Sequence, residues 1–189
     1  MFGTSLSLRA PARVRAAIAP PAARRRASAP FAAFRAFALT LLMLFVHGAG
    51  ADPVAADQRL AIVKQNFTAL KQNYSIAKMQ LQMGQTTPAS VSFTLARAQS
   101  QQMVSNLAIL RNDNQHTLDN GLYLNGAAQQ QAVNYTDVAK SLTQQLQTRL
   151  LILSMQPASQ LDLVLADQSL TQLTLKLTQL EQAMIAAQQ

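Results

Sequence analysis

From about Asp57 to Met83 the apolar positions fall at Leu60, Val63, Phe67, Leu70, Tyr74, Ala77 and Leu81. The steps alternate three and four, which is the seam of a heptad repeat rather than the broader stripe of an ordinary surface helix. Gly84 ends this segment, and Thr87 with Pro88 supplies a cap and a first helical residue for the next. A second seam then follows over about Pro88 to Leu118: Phe93, Ala96, Ser100, Met103, Leu107, Leu110 and Asn114. Ser100 and Asn114 make it more polar, a feature that fixes register at some cost in stability.

Asn120-Gly121 and Asn125-Gly126 are turn signals. Beyond them a third segment, about Ala132 to Ser154, places Val138, Leu142, Leu146, Leu150 and Leu153 on one face. Pro157 breaks it, and Ser159 with Asp162 has the spacing of a capping box. The fourth segment has the cleanest seam: Leu163, Ala166, Leu170, Leu173, Leu177, Leu180, Met184 and Ala187. Leu161, Leu163 and Leu165 alternate as a strand would, as do Leu173, Leu175 and Leu177. Leu is not β-branched, however, and the longer heptad seam favours helix.

Pro88-Ala89-Ser90 and Pro157-Ala158-Ser159 both follow the expected hairpin loops. The two halves therefore repeat one helix–loop–helix plan. The expected fold is all-α: hairpin one over about 57–118 and hairpin two over about 132–188, packed as an antiparallel four-helix bundle or coiled coil.

Charge divides the chain in two. The segment from Met1 to Ala51 holds seven of the sixteen basic residues (Arg9, Arg13, Arg15, Arg24, Arg25, Arg26 and Arg35) and no acid. An apolar run from Ala36 to Val46 and the string Ala49-Gly50-Ala51 complete the parts of a signal peptide over 1–51. The run is shorter than the roughly 20 residues of a membrane-spanning helix. Export to the periplasm or medium is therefore expected, with no transmembrane anchor in the remaining 138 residues (51 fewer than 189). Those residues carry nine Lys or Arg and eight acids, so the basic pI belongs to the leader and gives no warrant for nucleic-acid binding. With no Cys, disulfides, thiol catalysis and a lipoprotein anchor are excluded.

Candidate chemistry is sparse. Asp113, His116 and Asp119 are spaced by three near the end of the second segment, a trio that would need pre-organisation to hold a cation. No Gly-x-Ser-x-Gly or phosphate-binding glycine loop occurs in 52–189, and Asp162 and Asp167 face different sides of their helix. Asn66-Phe67-Thr68, Asn73-Tyr74-Ser75 and Asn134-Tyr135-Thr136 are sequons that matter only in a eukaryotic secretory pathway. No catalytic, cofactor-binding or metal-ligating residue is assigned, no cofactor is expected, and the chain does not read as an enzyme.

Leu161-Asp162-Leu163-Val164-Leu165-Ala166-Asp167-Gln168-Ser169-Leu170 resembles the segment after the hairpin turn in TolC-type outer-membrane efflux proteins, with Gln156 where Gly is usual. The first hairpin is similar through Tyr74, Gly84, Thr87 and Ala96-Arg97. The likeness extends to the periplasmic helical part of that family only: between Asn112 and Lys140 no pair of alternating strands suits a membrane barrel. It implies a helical component of an efflux or secretion conduit. The residues themselves point first to an exported, non-enzymatic structural or interaction protein of the cell envelope, packing on partner helices or on copies of itself, with peripheral envelope contact. A four-helix bundle that binds a small ligand or metal is the third reading.

Overall fold

The computed structural model describes residues 53–189; the leader expected over 1–51, with its cleavage site, lies outside the described residues. Four helices follow one another: α1 Pro53–Gln82, α2 Thr86–Asp119, α3 Gly126–Met155 and α4 Gln160–Gln188. Every regular element among the described residues is helical, so the alternating leucines lie in helix. Leu173 and Leu177 are buried, while Leu175 between them is 55% exposed.

Short connections force antiparallel neighbours. α1 ends at Gly84 (φ +74°), where Gln85 N–H donates to Gln80 O at 2.8 Å and Gly84 N–H to Leu81 O at 2.9 Å. This pair of bonds satisfies carbonyls that a helix end otherwise leaves open, and it needs a left-handed residue. Gly121 (φ +60°) ends α2 through the same pair, Leu122 N–H to Thr117 O and Gly121 N–H to Leu118 O.

Helix starts depart from the expected ones. α2 begins at Thr86 with Gln85 as its cap, which moves Pro88 from the first to the third helical position, still within the turn whose N–H groups have no helical partner. α3 starts at Gly126, six residues before the expected Ala132. Asn125 is its cap rather than part of a turn, its side chain accepting from Ala128 N–H at 3.0 Å. Ser159 does not cap α4 with its side chain; its hydroxyl bonds the Asp162 carboxylate at 2.6 Å, and Arg149 of α3 reaches the same carboxylate at 3.2 Å.

The helices form two hairpins packed as an antiparallel four-helix bundle. α1 packs on α2, α2 on α3 and α3 on α4, whereas α1 and α4, the remaining adjacent pair, stand further apart. The seams of α1, α2 and α4 are buried as their heptads require, with Leu81 and Leu163 partly covered at their ends. In α3 the expected face is corrected. Val138 is 41% exposed and Leu142 only partly buried, while Ala132, Thr136, Ala139 and Thr143 lead the buried seam into Leu146, Leu150 and Leu153.

The duplication seen in the hairpin loops extends to the core. Buried positions of α1 map at a constant step onto those of α3: Leu60 onto Gln129, Val63 onto Ala132, Phe67 onto Thr136, Leu70 onto Ala139, Tyr74 onto Thr143, Ala77 onto Leu146. α2 maps likewise onto α4, Ala96 onto Ala166, Ser100 onto Leu170, Met103 onto Leu173, Asn114 onto Met184. Large residues in one half are repeatedly matched by small ones in the other, which fills layers of a bundle without overpacking. Asn114 and Met184 meet across the core, Nδ2 to Sδ at 3.9 Å.

Candidate interaction surfaces

Two ends and one side of the bundle carry chemistry beyond packing. At the hairpin-tip end, the α1–α2 and α3–α4 connections lie together, tied by the Ser90 hydroxyl donating to Ser154 O. Around them Met79, Met83, Val91, Leu95, Met155, Leu161 and Val164 are 49–68% exposed. No ionisable residue occurs over 79–96 or 150–161. An apolar, uncharged cap on an otherwise Gln-, Thr- and Ser-rich surface is the composition of an interface core rather than of a solvated turn. These residues lie outside every heptad seam, so a reading built on seams passes over them. The missing charge over both stretches was the available signal.

The opposite end holds a buried polar cluster. Asn114, Thr117 and Gln129 are fully buried. Gln129 Nε2 donates to Thr117 Oγ1 at 2.6 Å, to Asn114 O at 2.9 Å and to Asn114 Oδ1 at 3.2 Å. Three acceptors crowd an amide with two hydrogens. Gln129 Oε1 is buried without a partner. Ser100, the other polar seam residue, donates to Arg97 O at 2.6 Å in its own helix. Both expected polar seam positions are thus satisfied within one chain.

The wide side is the α1/α4 seam, crossed by long side chains. Gln188 reaches Asp57 at 3.1 Å, Lys64 pairs with Glu181 at 2.7 Å and Lys78 with Asp167 at 2.8 Å. Tyr74, packed on Phe93 with ring centroids 5.8 Å apart, donates its hydroxyl to Leu163 O at 3.0 Å. Burial, and then the negative charge of Asp167, hold its phenol well above the usual range, so it remains a donor. A groove of about 650 Å³ opens here, lined by Lys71, Tyr74, Ser75, Lys78, Asp167 and Leu170 among others.

Sequence-derived candidates are not drawn together. His116 and Asp119 are exposed and turn to neighbours in sequence, His116 to Asn120 and Asp119 to Gln115, and no cluster of three potential ligands exists among the described residues. Asp113 is raised in pKa by partial burial, against the opposing pull of Arg59 and His116. Asp162 meets Arg149 of α3 while Asp167 meets Lys78 of α1, on different sides of α4. Of the sequon residues, Asn66 and Asn73 are partly buried within α1 and Asn134 is exposed in α3. None of the described helices is long and apolar enough to cross a membrane.

No protein-family model, curated protein or solved structure matches the chain.

Proposed function

We propose that the chain is an exported, non-enzymatic interaction protein of the cell envelope whose hairpin-tip end packs on the helices of a partner protein. The observation that carries this reading is the cluster of seven exposed apolar side chains around two connecting stretches, 79–96 and 150–161, that hold no ionisable residue. The partner face is correspondingly apolar and uncharged, because a charge opposite this cap would be desolvated without a counter-ion. A basic or acidic partner, nucleic acid included, finds no complement there.

The conduit reading rests on the likeness to the TolC-type helical part. In such a conduit the polar seam residues Ser100 and Asn114 would face a wet channel or a neighbouring protomer, whereas in a solitary bundle they need partners within the chain, and both have them. Interaction through the tips needs no such channel.

Photocrosslinking in exporting cells tests the proposal. A benzophenone side chain at Met83 or Leu161 should give one adduct whose cross-linked peptide lies in an uncharged helical stretch of the partner. The same probe at Leu122 or Leu124, exposed apolar residues at the opposite end, is the control. Adducts at the control positions but not at the tips would overturn the assignment. N-terminal sequencing of the same exported material should begin at Asp52.

A further inference from the structure

The ties across the α1/α4 seam follow a heptad step. On α1 the positions are Asp57, Lys64, Lys71 and Lys78; on α4, running the other way, they are Gln188, Glu181, Thr174 and Asp167. Each lies one residue after a fully buried core position: Ala56, Val63, Leu70 and Ala77 on α1, and Ala187, Leu180, Leu173 and Ala166 on α4. Three of the four rungs are joined by a hydrogen bond or ion pair. The fourth sets Lys71 against Thr174, which offers no carboxylate. Seven residues of helix rise about 10.5 Å, so the ions of the neighbouring rungs do not reach into this one.

Lys71 and Thr174 both line the 650 Å³ groove. The Lys71 ammonium has the Phe67 ring face 5.5 Å away and, among the described residues, no ion pair. Lys78, the other cation of the groove, is taken by both oxygens of Asp167, at 3.1 and 2.8 Å. One unneutralised positive charge therefore remains. Ser75, one helical turn beyond Lys71, adds a hydroxyl on the same face. The Thr171 and Thr174 hydroxyls donate to Asp167 O and Leu170 O of their own helix, and being neutral they leave the charge of the ammonium unmatched. Tyr74, Met79 and Leu170 supply apolar surface, and the volume falls in the range of small-molecule sites, roughly 300–1,000 Å³. The α3/α4 groove beside Arg149 offers no equivalent, because that guanidinium already bonds Asp162.

We infer that the α1/α4 groove binds an amphipathic monoanion, a free carboxylate with an aliphatic or aryl body, whose head group completes the empty rung at Lys71. A dianion such as phosphate suits it less, since one cation would leave half its charge unmatched. The inference is independent of the tip reading, which concerns another part of the molecule.

Amide chemical-shift titration of the exported chain with decanoate, below its micelle-forming concentration, provides the test. Saturable shifts are expected around Lys71, Ser75 and Thr174, with decanol binding more weakly. Lys71→Gln should weaken decanoate about threefold to fivefold, the scale of an exposed ion pair, and Lys71→Arg should restore it. Thr174→Glu fills the rung from within the chain and should abolish the preference for decanoate over decanol. Equal binding of decanol and decanoate, no effect of Lys71→Gln, or shifts confined to the hairpin tips would each overturn the assignment.

Discussion

Asn114 and Gln129 offer a direct measure of how the bundle tolerates polar groups in its seam. Asn and Leu have the same branched outline, so Asn114→Leu changes polarity with little change of shape. The Asn114 Oδ1 acceptor is one of three around Gln129 Nε2, and the two that remain, Asn114 O and Thr117 Oγ1, match its two hydrogens. The substitution therefore creates no buried orphan, and replacing a polar group by an apolar one of like shape is then nearly neutral, within about 1 kcal/mol. Gln129→Ala acts differently. It strands Asn114 Oδ1, at about 1–3 kcal/mol, and leaves a cavity in the layer, so a total of about 2–4 kcal/mol is expected. In urea, with a slope of roughly 1–3 kcal/mol/M, the midpoint should fall by about 1–2 M. In the Asn114→Leu background Gln129→Ala should cost at least about 1 kcal/mol less, since no Oδ1 remains to be stranded. Light scattering should give Asn114→Leu and the parent the same mass over a concentration series. A loss above about 2 kcal/mol for Asn114→Leu, or a change in its mass, would refute internal satisfaction and return the argument to a neighbouring protomer.

Other expectations follow from burial and charge. Leu173→Ala should cost about 2–5 kcal/mol in a urea melt, and Leu175→Ala less than about 1 kcal/mol; equal costs would contradict the seam. Asp113→Asn should raise the melting temperature at neutral pH. Burial raises the folded-state pKa of Asp113, so the folded chain binds the proton more tightly and stability falls as pH rises from the ordinary carboxylate value through the raised one. Below both values the advantage of Asn should vanish, and melting curves from pH 3 to 7 check this. Gly84→Ala should destabilise by about 1 kcal/mol through its positive φ, although no atom lies within 4 Å of the added Cβ.

The heptads made three of the four helices legible because their core positions hold large apolar residues. α3 was half legible for the opposite reason: its first core positions, Ala132, Thr136, Ala139 and Thr143, are small or hydroxylated. Thr is admitted there because its hydroxyl returns to its own helix, Thr136 to Ala132 O and Thr143 to Ala139 O, both at 2.7 Å. Val138 and Leu142 drew the seam aside, being the larger apolar residues nearby. The repeat carries the missing information, since the map from Phe67 and Tyr74 in α1 leads to Thr136 and Thr143. The α1/α4 ties were hidden because a charge on a heptad flank has many possible partners until the antiparallel register is known.

Register also explains why the two proposed surfaces can be occupied together. The tip cap is made by residues at or near the two turns, from Met79 to Leu95 and from Met155 to Val164. The groove faces sideways, at the third rung of a ladder that begins at the far end with Asp57 and Gln188. Met79 alone belongs to both. A partner on the tips therefore leaves Lys71 accessible, and a bound carboxylate leaves Met83, Val91 and Leu161 free to be covered. Coupling between the two, if measured, has a short physical route: Lys78 and Asp167 lie between Lys71 and the tip on the same seam, their ion pair standing beside the hydrogen bond from Tyr74 to Leu163 O. Breaking that pair with Lys78→Gln should loosen the seam at the tip while sparing the Lys64–Glu181 rung. A change in tip crosslinking on Lys78→Gln without loss of helix content would assign the ladder a role in presenting the tip, whereas unchanged crosslinking would leave the two surfaces independent.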